Sequence, residues 1–177
     1  TTSGVATLKE DGVNFKYYSK TTELTTQSTG IIGDVTSYII QSKSTNGGQT
    51  GGIVDRNKSY AEYVATENGT VTFYIGNAAT KLSCVSRIKT DAGADDKDET
   101  LGTFYPGADG GEQEPQLQII QGKDYCTVKA DVEAGYTYFL TVTGSKMKLY
   151  DLVQFMASGS IKGTITVPEG ITDYGRS

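Results

Sequence analysis

Apolar and polar residues alternate with a period of two along most of this chain, and turn residues interrupt the alternation every several positions. Val13, Phe15 and Tyr17 alternate over 13–18, and Val35, Tyr38, Ile39 and Ile40 mark a second run over 34–41. A glycine-rich stretch at 45–52 separates this run from a strand expected at 59–65. Asn68-Gly69 carries a hairpin signal, and Thr70-Val71-Thr72-Phe73-Tyr74-Ile75 behind it alternates strictly. Further strands are expected at 81–89, 100–105, 116–121, 124–132, 136–143 and 147–155, with one more strand-like run at 161–167. No segment carries an amphipathic helical stripe of useful length. About ten short strands divided by turns specify an all-β chain, an antiparallel β-sandwich of jelly-roll type, although pattern alone leaves a closed barrel open. The sandwich is expected over 13–157, with 1–12 as a linker or first edge strand. Residues 158–177 are then a last strand or a linker toward a following module.

Composition adds limits to this picture. The 177 residues suffice for one substantial core. Thr, Ser, Gly and Tyr are abundant, and the chain has neither Trp nor His, a mixture suited to a two-layer β-protein. A net charge of −5 argues against a nucleic-acid or anionic-membrane surface. No run of apolar residues is long enough to span a bilayer as a helix. Met147 and Met156 are the only methionines, as expected of a piece of a longer chain, with Thr1-Thr2-Ser3-Gly4 the end of a linker.

Chemistry is constrained by what the chain lacks. Without histidine, Ser–His and Cys–His nucleophiles are impossible. Alternation groups Cys84 with Leu82 and Ile88, and Cys126 with Val128 and Ala130, so both cysteines are expected to face the core. That placement permits a disulfide between them and equally permits two buried thiols. No pair of carboxylates stands out for glycoside hydrolysis, and a lyase with a Lys or Arg base is the remaining catalytic option.

Two acidic segments, 91–99 and the loop carrying Asp109, Glu112 and Glu114, read as solvated loops or as sources of calcium ligands. Asp151 falls with Leu149, Val153 and Phe155 on the core side of its strand. A carboxylate there needs a partner such as a cation, an arginine or backbone donors, unless a bulge or an edge position lets it reach water.

The opposite parity gathers Thr72 and Tyr74, Arg87 and Lys89, Tyr125, Thr127 and Lys129, and Lys148 and Tyr150 on outward faces. If their strands adjoin, tyrosines and cations share one surface suited to a glycan, and to an acidic one in particular. Arg56 and Lys58, just after the glycine-rich stretch, form a second candidate cluster.

The segments 68–75 (NGTVTFYI) and 133–145 (EAGYTYFLTVTGS), the latter continuing into Lys148-Leu149-Tyr150-Asp151-Leu152, carry a resemblance. Over roughly 55–157 the chain resembles β-sandwich carbohydrate-binding modules appended to bacterial pectate lyases and other plant cell-wall-degrading, cellulosomal enzymes. The resemblance implies a non-catalytic, extracellular module that binds pectic or hemicellulosic polysaccharide and is linked in its parent chain to enzyme or scaffold modules. Jelly-roll modules of this kind often hold a structural calcium, for which Asp151 is the candidate ligand. The chain departs from the common pattern in lacking tryptophan, so tyrosine, lysine and arginine must replace indole stacking. A structural or adhesive sandwich of a bacterial surface protein is the alternative role.

Overall fold

The computed structural model describes residues 5–7, 9–10, 14–19, 24–42, 47–76, 82–106, 115–122, 124–143 and 147–158. The loop of Asp109, Glu112 and Glu114 and the run at 161–167 lie outside them.

The described residues form β1 (Val5–Thr7), β2 (Lys9–Glu10), β3 (Phe15–Tyr18), β4 (Leu24–Ile32), β5 (Val35–Ser42), β6 (Gln49–Thr50), β7 (Ile53–Val54) and β8 (Tyr60–Val64). They continue with β9 (Gly69–Gly76), β10 (Ser83–Lys89), β11 (Glu99–Phe104), β12 (Leu117–Gln121), β13 (Tyr125–Val132), β14 (Tyr136–Thr141) and β15 (Lys148–Ala157). One sheet has six strands in the order β1-β3-β8-β14-β10-β11. The other has seven, β12-β13-β9-β15-β5-β4 with β2 added beside β15. Pairing is antiparallel except between β2 and β15. The chain crosses between layers after β1, β2, β3, β8, β9, β11, β13 and β14, and from β5 to β8 by way of β6 and β7, the alternation expected of a jelly roll.

Alternating apolar residues of the two sheets fill the space between them. Phe15, Tyr17, Ala61 and Tyr63 from one layer meet Val71, Phe73, Ile75, Cys126, Val128 and Ala130 from the other. Phe15 and Phe73 join the layers directly, with ring centroids 4.7 Å apart. The Tyr17 hydroxyl donates to the Met147 carbonyl at 2.6 Å, satisfying a polar group inside this core.

The Asn68-Gly69 signal does not make a hairpin. β8 and β9 belong to different sheets, and the two residues carry the chain from one layer to the other. A two-residue hairpin does occur between β4 and β5, where Ile32 faces Val35 and Gly33 takes φ +63°.

A second difference concerns β10. Val85, not Cys84, faces the main core. Cys84 lies on the outer side of the six-stranded sheet in a smaller core with Val54, Tyr60 and Phe139. The β6–β7 hairpin roofs this core, and the Val54 amide donates to Ser86 Oγ at 3.2 Å. With both faces of β10 apolar, its parity could not be read from hydrophobicity.

Cys126 lies in the main core, so the backbone of the six-stranded sheet stands between the two thiols, and both are free. Burial pushes Cys84 up to about 12 and Cys126 up to about 11, from 9.0. Both stay protonated and unreactive in the native state. Iodoacetamide at pH 8 is expected to leave both unmodified in the folded protein and to alkylate both in guanidinium. Because the folded values are raised, the contribution of the two protonated thiols to stability is complete below pH 9.0 and is lost as pH rises toward 11 and 12. Rapid alkylation of the native protein would contradict this placement.

Candidate functional site

The outer face of the seven-stranded sheet holds a groove. In β13 burial alternates cleanly: Cys126, Val128, Ala130 and Val132 point inward, while Tyr125, Thr127, Lys129 and Asp131 point outward. Registers of the neighbouring strands then fix which side chains stand beside them. Gln118 of β12 pairs with Lys129, Lys129 pairs with Thr72 of β9, and Thr72 pairs with Gln154 of β15. These four form one file across four adjacent strands, about 14 Å long at the usual strand spacing. Beside it runs a second file, in which Asp131 pairs with Thr70 and Thr70 with Met156. Gln116 closes its end through its carbonyl, which accepts the Asp131 amide at 3.0 Å.

The two files line a groove of about 720 Å³, which Tyr74, Pro115 and Phe155 complete. Its polar groups are amides, hydroxyls, one ammonium and one carboxylate, so the described lining carries no net charge. Thr70 Oγ1 donates to Asp131 Oδ1 at 3.3 Å, and the Tyr74 hydroxyl donates to Gln154 Oε1. Both contacts orient groove side chains in advance of a ligand.

The residues expected from sequence are divided by the structure. Tyr74, Tyr125, Lys129, Lys148 and Tyr150 do share the outer face of the seven-stranded sheet. Their tyrosines, however, pack on one another. Tyr74 meets Tyr125 edge to face at 5.5 Å, Tyr125 meets Tyr150 at 6.0 Å, and Ile32, Ile39 and Leu152 join them. Tyr74 and Tyr150 are 9% and 5% exposed and offer no open ring for a sugar. Burial raises both hydroxyls above their ordinary value, and the neighbouring Tyr125 adds to the effect. Lys148 sits at the far end of this cluster, its stem covering Gly76. Gly76 pairs with Tyr125, four residues from Lys129 along β13, about 13 Å away.

Arg87 and Lys89 belong to the other sheet. Arg87 is on the inward parity of β10, at the open end of the sandwich. Its Nε donates to Glu99 Oε1 at 2.8 Å, and Nη1 lies 3.3 Å from both Glu133 Oε1 and the Tyr138 hydroxyl. The guanidinium also covers the Tyr136 ring at 3.9 Å. Lys89 is exposed at the end of the same strand.

Arg56 pairs with Asp98 and lies 4.1 Å above the Phe139 ring, fastening the 47–58 segment and the β10–β11 loop to the six-stranded sheet. Lys58 is exposed, with its stem against Gly48. The expected single surface of tyrosines and cations is therefore split between two sheets.

Asp151 occupies a bulge. Leu149 pairs with Ile75 and Val153 with Phe73, so β15 carries two extra residues against β9. Asp151 Oδ1 accepts the Tyr38 amide of β5 at 2.9 Å, which gives the carboxylate its partner. In the 91–99 loop, Asp96 accepts the Gly93 amide and Asp98 pairs with Arg56. Among the described residues no three Asp, Glu, Cys or His side chains converge as a calcium cage requires.

Gln118, Gln154, Thr70 and Asp131 did not stand out in the sequence. Each lies at an outward position of an alternating strand, and that parity was the available signal.

No protein-family model matches the chain, and no curated protein matches it. Among solved structures it is similar to the N-terminal CBM22-1–GH10 modules of Clostridium thermocellum endo-1,4-β-D-xylanase 10B, complexed with xylohexaose. Identity is 14% over 89% of this chain and 26% of that one, with a TM-score of 0.45. The chain thus spans about a quarter of that xylanase chain. It is also similar to the K1 cleaved adhesin domain of Lys-gingipain from Porphyromonas gingivalis W83, at 20% identity over 90% of this chain and 94% of that one, TM-score 0.41. A xylan-binding domain of family CBM22 matches at 10% identity over 78% and 86%, TM-score 0.32. At these identities and scores, the case for a function rests on the chain's own geometry.

Proposed function

We propose that this chain is a non-catalytic polysaccharide-binding module whose ligand lies across the outer face of the seven-stranded sheet. The observation that carries the reading is the file Gln118–Lys129–Thr72–Gln154, a row of hydrogen-bonding side chains at strand spacing along an open groove. An elongated chain of hydroxyl-bearing units is a ligand that meets every member of such a row. The balanced charge of the lining favours a neutral backbone of hemicellulosic type over a pectic polyuronate. Affinity is expected to be modest, because the tyrosines are turned into their own cluster and hydrogen bonds exchanged with water gain about 1 kcal/mol each. Such a module acts by proximity: secreted and linked to an enzyme or scaffold in its parent chain, it raises the effective concentration of that partner on the polymer.

Affinity electrophoresis in gels containing xylan, mixed-linkage glucan or polygalacturonate tests the reading. A neutral polymer should retard the protein. Gln154→Ala and Lys129→Ala should each weaken retardation about fivefold, the equivalent of one hydrogen bond. Lys89→Ala and Lys148→Ala should leave it unchanged. Absence of retardation by every polysaccharide would end the proposal.

An adhesive domain is the second reading. Val35 stands exposed on one face of the β4–β5 hairpin and Ile31 and Tyr38 on the other, apolar residues suited to a protein surface rather than a sugar. This reading predicts no polysaccharide retardation.

A further inference from the structure

The groove does not end at Asp131. A second cleft of about 600 Å³ opens between the two sheets, lined by Arg87, Glu99, Gln116, Asp131, Glu133 and Tyr138 among others. Gln116 and Asp131 line both, so the cleft is a side chamber of the groove across the end of β13. Gln116 also ties the layers together there, since its Nε2 donates to the Leu101 carbonyl of β11 at 3.1 Å.

The chamber wall is pre-arranged. Arg87 is held by Glu99, Glu133 and the Tyr138 hydroxyl, and that hydroxyl accepts the Glu133 amide at 2.7 Å. With Asp131 the named lining carries three carboxylates and one guanidinium, two of the carboxylates paired with Arg87, so the wall is net negative. Glu99 and Glu133 each give Arg87 one oxygen and are 56% and 58% exposed, which leaves acceptor capacity toward the cleft. Carboxylates with spare lone pairs accept hydrogen bonds from hydroxyl groups, and adjacent hydroxyls of a sugar suit both oxygens at once. The same charge repels uronate, sulfate or phosphate groups.

We propose that this chamber is a subsite for a neutral sugar branch, so that the module prefers a branched neutral polysaccharide over its linear backbone. The proposal rests on the groove reading above: the backbone lies along the polar file, and a branch enters beside Gln116 and Asp131.

Calorimetric titration with matched pairs separates the two readings. Suitable pairs are xylohexaose against its singly arabinosylated form and cellohexaose against its singly xylosylated form. The wild-type chain should bind the branched member of one pair about five- to tenfold more tightly. Glu99→Gln/Glu133→Gln, altering exposed carboxylates, should lose that preference and keep the linear affinity. Lys129→Ala should weaken both members and keep their ratio. A backbone carrying a glucuronosyl branch should bind no better than the linear one. Equal affinity for branched and linear ligands, or a preference the double variant does not disturb, overturns the branch subsite while the groove stands. Failure to bind any member overturns both.

Discussion

Phe73→Ala is expected to destabilise the fold by about 3–5 kcal/mol and lower the melting temperature by roughly 6–20 °C, the largest single loss foreseen for this chain. Phe73 lies in β9, at the middle of the seven-stranded sheet, with β13 on one side and β15 on the other. Its ring is fully buried and 4.7 Å from Phe15, which in turn lies 6.1 Å from Tyr63. These three rings span the gap between the layers. Truncation removes a large apolar surface and leaves a cavity that two hydrogen-bonded sheets cannot close without breaking register. Phe73→Leu preserves most of the volume and is expected to cost under about 1.5 kcal/mol. Thermal unfolding of the two variants should therefore differ widely. Similar, small effects would show that the layers do not pack through Phe73.

The neighbours of β9 in the sheet show why some of the fold was legible in the sequence. In β12 and β13 one face meets the core and the other meets solvent, so period-two alternation reported both the strand and its orientation. In β10 the β6–β7 hairpin buries the outer face as well, and apolar residues on both sides erased the parity. Arg87 and Cys84 consequently exchanged their expected sides. β4 escaped notice because Leu24-Thr25-Thr26-Gln27-Ser28-Thr29-Gly30 offers one apolar residue in seven. Its place is fixed by pairing with β5, a long-range fact with no local signature.

The candidate site divides along the same line. Outward parity matched the structure strand by strand for Tyr74, Tyr125, Lys129, Lys148 and Tyr150, since parity is a property of a single strand. Which strands adjoin is not, and adjacency built the Gln118–Lys129–Thr72–Gln154 file while sending Arg87 and Lys89 to the other layer. Residue type also misdirected attention. Tyrosines are apolar enough to be drawn into a cluster of their own, whereas amides and hydroxyls remain in the groove.

Gly69→Ala should be nearly as damaging as the loss of Phe73, at about 1–3 kcal/mol or more, although it adds only a methyl group. A glycine in a tight Asn-Gly hairpin turn takes positive φ, but Gly69 does not adopt it. It is instead a site of close approach. Gly69 pairs with Val132 on one side and Ala157 on the other, and a Cβ there would stand 2.3 Å from the Met156 carbonyl oxygen and 2.6 Å from the Phe155 ring. The oxygen is backbone, so relief requires β15 itself to move. Gly33 provides the contrasting case. At φ +63° with nothing within 4 Å, it needs a left-handed conformation and not space. Asparagine tolerates that conformation, so Gly33→Asn is expected to cost less than about 1 kcal/mol, while Gly69→Asn should be at least as harmful as Gly69→Ala. A second readout follows from position. Displacing β15 at Met156 shifts Gln154 two residues earlier on the same face, so under the proposed function any folded Gly69→Ala protein should also bind polysaccharide less tightly. Gly69→Ala with unchanged melting temperature and unchanged binding would mean that β15 does not lie against Gly69 as described.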